Sequence, residues 1–195
     1  MTKALILDAD GMIVHGERFS NRLAREYGIS TEVTGPFFRN EFQLCVVGKL
    51  DLKKELRKYL KQWGWKDGVD AFLDCWFSEK HTAIDKRFKT TIQALRAKGV
   101  KIYLATNNEK YRTDNLVEKR GLSNWFDGVF SSAYVSSKKP DAAFFQYILE
   151  KTGMKKEAVV FWDDDVENTE GAAAFGFRTE LYQNFEQFKE KAESY

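Results

Sequence analysis

What most constrains the fold of this chain is a set of short apolar runs, each stopping abruptly at polar side chains. Ala4-Leu5-Ile6-Leu7 runs into Asp8-Ala9-Asp10-Gly11. Val100 to Ala105 ends at Thr106-Asn107-Asn108, and Ala158 to Trp162 ends at Asp163-Asp164-Asp165. Each run is too short for a helix and reads as a strand covered on both faces. Weaker strands are expected at 128–131 and 178–182. Helical spacing fills the intervals over 85–98, 109–120, 140–151 and 166–175, with a last helix over 184–193. Gly99, Gly121, Gly153 and Gly176 supply stops, Pro140 a first-turn residue, and Asn184 a cap. Strands alternating with helices predict an α/β domain, a Rossmann-like parallel sheet of about five strands with helices on both faces.

One interval is too long. Asp8 and Thr106 lie 98 positions apart (106 − 8), whereas a βαβ unit needs only about 30 residues. The surplus falls between His15 and His81. It has helical spacing at Phe19-Leu23-Tyr27, at Leu52-Leu56-Tyr59-Leu60 and at Val69-Phe72-Leu73-Trp76, broken at Gly35-Pro36 and Trp63-Gly64-Trp65. The expected division is therefore a core of 1–14 and 82–195 with a small helical cap, 15–81, inserted after the first strand. Hinges are expected at 12–16 and 81–86. Trp63, Trp65 and Trp76 are expected mainly in the cap's own core, and His15 and His81 at hinge or surface positions.

Composition narrows the class. With 31 Lys and Arg against 29 Asp and Glu, the net charge is +2. That balance lacks the basic field of non-specific nucleic-acid binding, so no nucleic-acid partner is expected. No apolar run approaches a membrane span, and the opening run is too short for a signal peptide. Two cysteines, Cys45 and Cys75, make no disulfide framework. A soluble cytoplasmic protein is expected; its oligomeric state is left open.

In an open α/β sheet ligands bind beyond the carboxyl ends of the strands. Those ends carry Asp8, Asp10, Thr106, Asn107 and Asp163 to Asp165, with Lys139 just ahead of a helix. Carboxylates gathered there repel: a like-charge pair at 4 Å costs about 4 kcal/mol at an effective dielectric of 20. One lysine cannot neutralise them, but a divalent cation can, and hard oxygen ligands suit Mg²⁺. Asp165 reads rather as a helix cap, because it sits just before a helix.

In order along the chain, these segments resemble the four signatures of the haloacid dehalogenase superfamily. Leu5-Ile6-Leu7-Asp8-Ala9-Asp10-Gly11 resembles the first and Leu104-Ala105-Thr106-Asn107 the second. Lys139-Pro140-Asp141 with Phe144 resembles the third, and Val160 to Asn168 around Asp163-Asp164 the fourth. Met12 departs from the Thr found in many members. The insert resembles a C1-type cap, which points to the phosphatase and β-phosphoglucomutase-like branch. The resemblance implies Asp8 as a nucleophile that forms an aspartyl-phosphate and Asp10 as general acid and base. It implies Thr106, Asn107 and Lys139 as phosphate-binding groups, with Lys139 preferred over Lys138. Mg²⁺ would be held by Asp8, the Asp10 carbonyl and Asp164, with Asp163 binding directly or through water.

The implied activity is Mg²⁺-dependent hydrolysis of a small phosphorylated metabolite. Asp10 argues against a dehalogenase, since a halide leaves without a proton. A phosphomutase of the same superfamily and a non-catalytic binding protein on this fold are the alternatives. A receiver-like phospho-acceptor module fits less well, because its acidic pair precedes its acceptor.

Overall fold

The computed structural model describes residues 2–195. The chain runs through β1 (Ala4–Leu7), β2 (Val14–Gly16), α1 (Phe19–Tyr27), α2 (Thr31–Arg39), α3 (Glu41–Val46), α4 (Leu52–Tyr59), α5 (Gly68–Trp76) and β3 (Thr82–Ile84). It continues through α6 (Arg87–Ala97), β4 (Lys101–Thr106), α7 (Lys110–Asp114), β5 (Gly128–Ser131) and α8 (Ser132–Val135). Last come α9 (Ala142–Thr152), β6 (Val159–Asp163), α10 (Val166–Phe175), β7 (Arg178–Leu181) and α11 (Phe185–Ala192).

Five strands form one parallel sheet in the order β5-β4-β1-β6-β7. The expected α/β architecture is the observed one. Period-two alternation divides each central strand between two cores. Leu5 and Leu7, Ile102 and Leu104, and Val160 and Trp162 share a cluster with Phe88 of α6 and Phe188 of α11. Ala4, Ile6, Ala105, Val159 and Phe161 pack with Phe144, Phe145 and Ile148 of α9 on the opposite face. Burying each large apolar side chain contributes about 1.5–3 kcal/mol, which is why these strands carry no polar face. The chain leaves β1 toward β4 and β5 on one side and returns to β6 and β7 on the other. The carboxyl end of β1 is thus a switch point, where a crevice opens between diverging connections.

The stretch between β2 and β3 folds into α1 to α5 around a separate cluster that includes Phe19, Leu23, Phe37, Leu56, Trp63 and Phe72. Trp65 and Trp76 pack against that cluster. Its aromatic rings stack and meet edge to face, as with Phe19 on Trp76 (4.8 Å) and Trp65 on Phe72 (5.1 Å).

Three local features differ from the sequence expectation. The two crossings into the insert are not free loops: Val14, His15 and Gly16 pair antiparallel with Ile84, Ala83 and Thr82. These strands are three residues each, too short to leave an alternating pattern. The helix after β4 is regular only over α7 and widens into a π-type turn at Asn115–Lys119. Pro140 precedes α9 rather than opening it, because Asp141 holds the N-cap. No helix among the described residues is long and apolar enough to cross a membrane.

Candidate active site

The register of the three central strands brings the polar groups together. Leu7 lies beside Leu104 on one side and Trp162 on the other. The residues that follow (Asp8, Thr106 and Asp163) therefore arrive at the same end of the sheet. With Asp10, Lys139 and Asp164 they line a cavity of about 240 Å³.

Lys139 is the centre of this arrangement. It is 2% exposed, and its Nζ donates to Asp8 Oδ1 (2.5 Å), Asp163 Oδ2 (2.7 Å) and the Ala105 carbonyl (3.0 Å). Burial alone would depress the ammonium, but the adjacent Asp8 and Asp163 charges carry it above its usual range. The neighbouring Lys138 turns to the insert and donates to Gln43 Oε1 at 3.1 Å. Asn107 places Lys139: its Oδ1 accepts from the Lys139 backbone N–H and its Nδ2 donates to the Lys139 carbonyl, both at 2.9 Å. The Asn107 side chain is thus committed to the loop that carries the lysine, while the residue itself lines the cavity.

Asp8, Asp163 and Asp164 each offer an oxygen within 4.8 Å of the others. Three carboxylates face one ammonium, so negative charge is left uncompensated. Burial pushes the Asp8 carboxyl well above the ordinary range; Lys139 opposes that shift, and Asp163 and Asp10 add to it. Asp164 is pushed up too, by burial and by Asp163. A divalent cation with hard oxygen ligands fits this charge and donor set. Asp163 is the most committed of the three. Its oxygens accept from Lys139, from Asn168 Nδ2 (3.1 and 3.2 Å) and from the Asp165 N–H (2.9 Å). Asp164 is exposed and folds over Gly11, where an added Cβ would fall 2.0 Å from its Oδ2. Gly11 also has φ +91°, so the turn after β1 demands glycine twice over. Asp165 takes the capping role expected of it and accepts from the Glu167 N–H at 2.8 Å.

Asp10 stands apart from the acidic cluster. Its side chain is 48% exposed, with Oδ2 accepting from Asn108 Nδ2 (2.5 Å) and Oδ1 from Arg112 Nη2 (3.3 Å). Asn108 Nδ2 also reaches Thr106 Oγ1 at 2.6 Å. Asn108 and Arg112 were given no role by sequence, and Asn168 only its place in the fourth signature. Asn108 follows the polar strand end, and Asn168 lies one turn into the helix after the acids, so position offered a signal for both. Arg112 had none, because its approach depends on the phase of α7.

A second cavity, about 230 Å³, adjoins at Asp10 and is walled by Phe19, Phe42 and Trp76 of the insert and by Arg112 of the core. His15 and His81 line neither cavity. The insert touches the core away from β2 and β3 as well. Ser132 Oγ donates to the Val46 carbonyl (2.6 Å) and Tyr111 Oη to Asp51 Oδ2 (2.7 Å). A Cβ on Gly48 would lie 2.2 Å from the Ala133 carbonyl.

Comparison with known proteins places this geometry. A model of haloacid dehalogenase-like hydrolases matches residues 2–176. A drimenol cyclase of Aspergillus calidoustus is 33% identical over 120 residues, covering 60% of this chain and 22% of that protein. A sesquiterpene phosphatase of Aspergillus oryzae is 32% identical over 92 residues, 47% of each chain. The chain thus spans about half the length or less of these curated relatives. A HAD family enzyme of Bacteroides thetaiotaomicron, solved with magnesium and inorganic phosphate, shares the fold with a TM-score of 0.81 and 18% identity. That match covers 96% of this chain and 99% of the other.

Proposed function

The chain belongs to the haloacid dehalogenase-like hydrolases, and from that premise we propose that it hydrolyses a small phosphomonoester with Mg²⁺, through an aspartyl-phosphate on Asp8. The observation that carries the reading is the joint placement of Asp8. Its carboxylate meets the buried Lys139 at 2.5 Å, shares a metal-sized space with Asp163 and Asp164, and lies two residues before the half-exposed Asp10.

Each residue then has a task. Lys139 occupies Oδ1 of Asp8 and leaves the second oxygen to attack phosphorus. Thr106 holds the phosphoryl oxygens where charge builds up, and the Lys139 ammonium, its three donors spent on Asp8, Asp163 and Ala105, neutralises phosphate charge beside them. Asp10 donates a proton to the departing oxygen, then takes one from the water that cleaves the acyl-phosphate. Asp8, Asp164 and the Asp10 carbonyl would hold Mg²⁺, with Asp163 orienting Lys139 and contributing directly or through water. Bound Mg²⁺ supplies charge screening between the anionic nucleophile and the anionic substrate. Residues 15–81 act as the cap, its aromatic wall closing over the leaving group and keeping bulk water from the acyl-phosphate. The proton donor at Asp10 separates this reading from displacement of halide at carbon.

The test is phosphate release from p-nitrophenyl phosphate. Turnover with Mg²⁺, none after chelation and none in Asp8→Asn is the expected result. Phosphate release by Asp8→Asn at the unmodified rate would overturn the nucleophile.

A further inference from the structure

The cavity beside Asp10 has a charge that the hydrolytic steps do not use. Five ionisable side chains line it: Asp10, Glu17, Glu109, Arg18 and Arg112. The three acids are committed. Glu17 is paired with Arg25 at 2.5 Å. Glu109 accepts from the Tyr111 and Arg112 N–H groups, and burial pushes its carboxyl up to about 7. Asp10 carries the transferred proton. The two arginines are not committed in the same way. Arg18 makes no ion pair among the described residues.

Arg112 is 8% exposed, and its Nη1 is shut from solvent with no hydrogen-bond partner among the described residues. Its single polar contact through the guanidinium is the long one to Asp10, at 3.3 Å. A buried guanidinium N–H left without an acceptor is destabilising. The guanidinium also lines the cavity, and the edge it presents there is matched by an oxyacid anion through charge-assisted N–H bonds.

We propose that Arg112, assisted by Arg18, is the specificity determinant of the cap cavity, and that it selects phosphomonoesters whose leaving group carries a second oxyanion, a carboxylate or another phosphoryl group. The inference rests on the phosphomonoesterase reading above. Asp10 hands its proton to the ester oxygen, and Arg112 touches Asp10, so the second anion sits only a few bonds beyond that oxygen. Phe19, Phe42 and Trp76 enclose the carbon skeleton between the two charges and exclude water from the ion pair.

Binding to the Asp8→Asn protein in Mg²⁺, measured by calorimetry, tests this without requiring turnover. The probes are ethyl phosphate, 2-phosphoglycolate, ethylene glycol bisphosphate and dimethylallyl phosphate. One of the two probes with a second anionic end is expected to bind roughly tenfold to a hundredfold tighter than ethyl phosphate. Whichever does so identifies carboxylate or phosphoryl as the second group. Arg112→Gln in the same background is expected to collapse that ratio, and Arg112→Lys to restore part of it. Because the ratio is taken within each variant, a general loss of fold or of phosphate binding does not imitate the result. Equal binding of ethyl phosphate and both anionic probes overturns the proposal and leaves the hydrolase reading standing. Tightest binding of dimethylallyl phosphate also overturns it and assigns the cavity to an apolar group. A preserved binding preference with no turnover by the unmodified protein has the opposite meaning: it sinks the hydrolase reading and keeps the arginine site.

Discussion

Lys139 and Asp8 lie 131 positions apart in the chain and meet at 2.5 Å, with the ammonium buried and shared with Asp163. Removing the lysine leaves buried carboxylates facing one another. Lys139→Met is expected to lose about 3–5 kcal/mol of unfolding free energy in chelator, since an uncompensated buried charge remains. Urea titrations with and without Mg²⁺ check this, and a smaller loss in Mg²⁺ is the expected pattern. A variant as stable as the parent in chelator would show that the pair is not holding the sheet edge together.

Asp10→Asn is expected to bind phosphomonoesters and Mg²⁺ while losing about 10²- to 10⁴-fold in turnover. The loss should be larger for an alkyl phosphate than for p-nitrophenyl phosphate, because nitrophenolate departs without a proton. Steady-state rates for the two substrates measure the difference. An equal loss for both would mean that Asp10 acts on something other than the departing oxygen.

Gly11→Ala tests the metal pocket from the backbone side. The new methyl would compete with the Asp164 carboxylate for one position, on a residue already at φ +91°. In the parent, Mg²⁺ at about a hundred times its dissociation constant adds roughly 2.7 kcal/mol of stability. Gly11→Ala and Asp164→Asn are both expected to lose most of that increment, read as the Mg²⁺-induced rise in melting temperature. An undiminished rise in both would place the cation elsewhere.

Glu109 gives stability a pH dependence of known sign. Its carboxyl is pushed from 4.5 up to about 7 by burial, against the two backbone N–H groups that favour the anion. Between those values the folded state holds the proton more tightly than the unfolded chain. The contribution is therefore full below pH 4.5 and is lost as pH rises through about 7. The change across that window is on the order of 3 kcal/mol. Glu109→Gln is expected to flatten the curve between pH 5 and 8, seen by thermal melts of both proteins. Parallel curves would remove Glu109 as the cause.

Tyr111 and Ser132 fasten the insert to the core with hydroxyls that donate to Asp51 and to the Val46 carbonyl. Tyr111→Phe with Ser132→Ala should cost about 1 kcal/mol per bond. The same change should speed amide exchange in α3 and α4 while leaving β1 and β6 protected. Exchange unaltered in those helices would mean that these two hydroxyls do not seat the insert.

The parts legible in the sequence share one cause. β1, β4 and β6 are covered on both faces, so their apolar runs are unbroken and their polar ends are conspicuous. Asp8, Thr106 and Asp163 could be grouped for that reason alone. The surplus of chain between His15 and His81 could be counted, and the aromatic rings it carries pack in a cluster of their own. What escaped depended on geometry that strings do not carry. β2 and β3 are three residues long with exposed positions on both. Arg112 reaches Asp10 only through the rotation of α7, and the commitment of Asn107 to Lys139 appears only when two loops meet.

Gly16 and Thr82 are cross-strand partners, so the insert leaves and rejoins the core at nearly one point. The covalent joins to the sheet are therefore the same two positions whatever hangs from them. Helices can be lengthened, exchanged or remodelled beyond that neck without stretching the turn that bears Asp8 and Asp10.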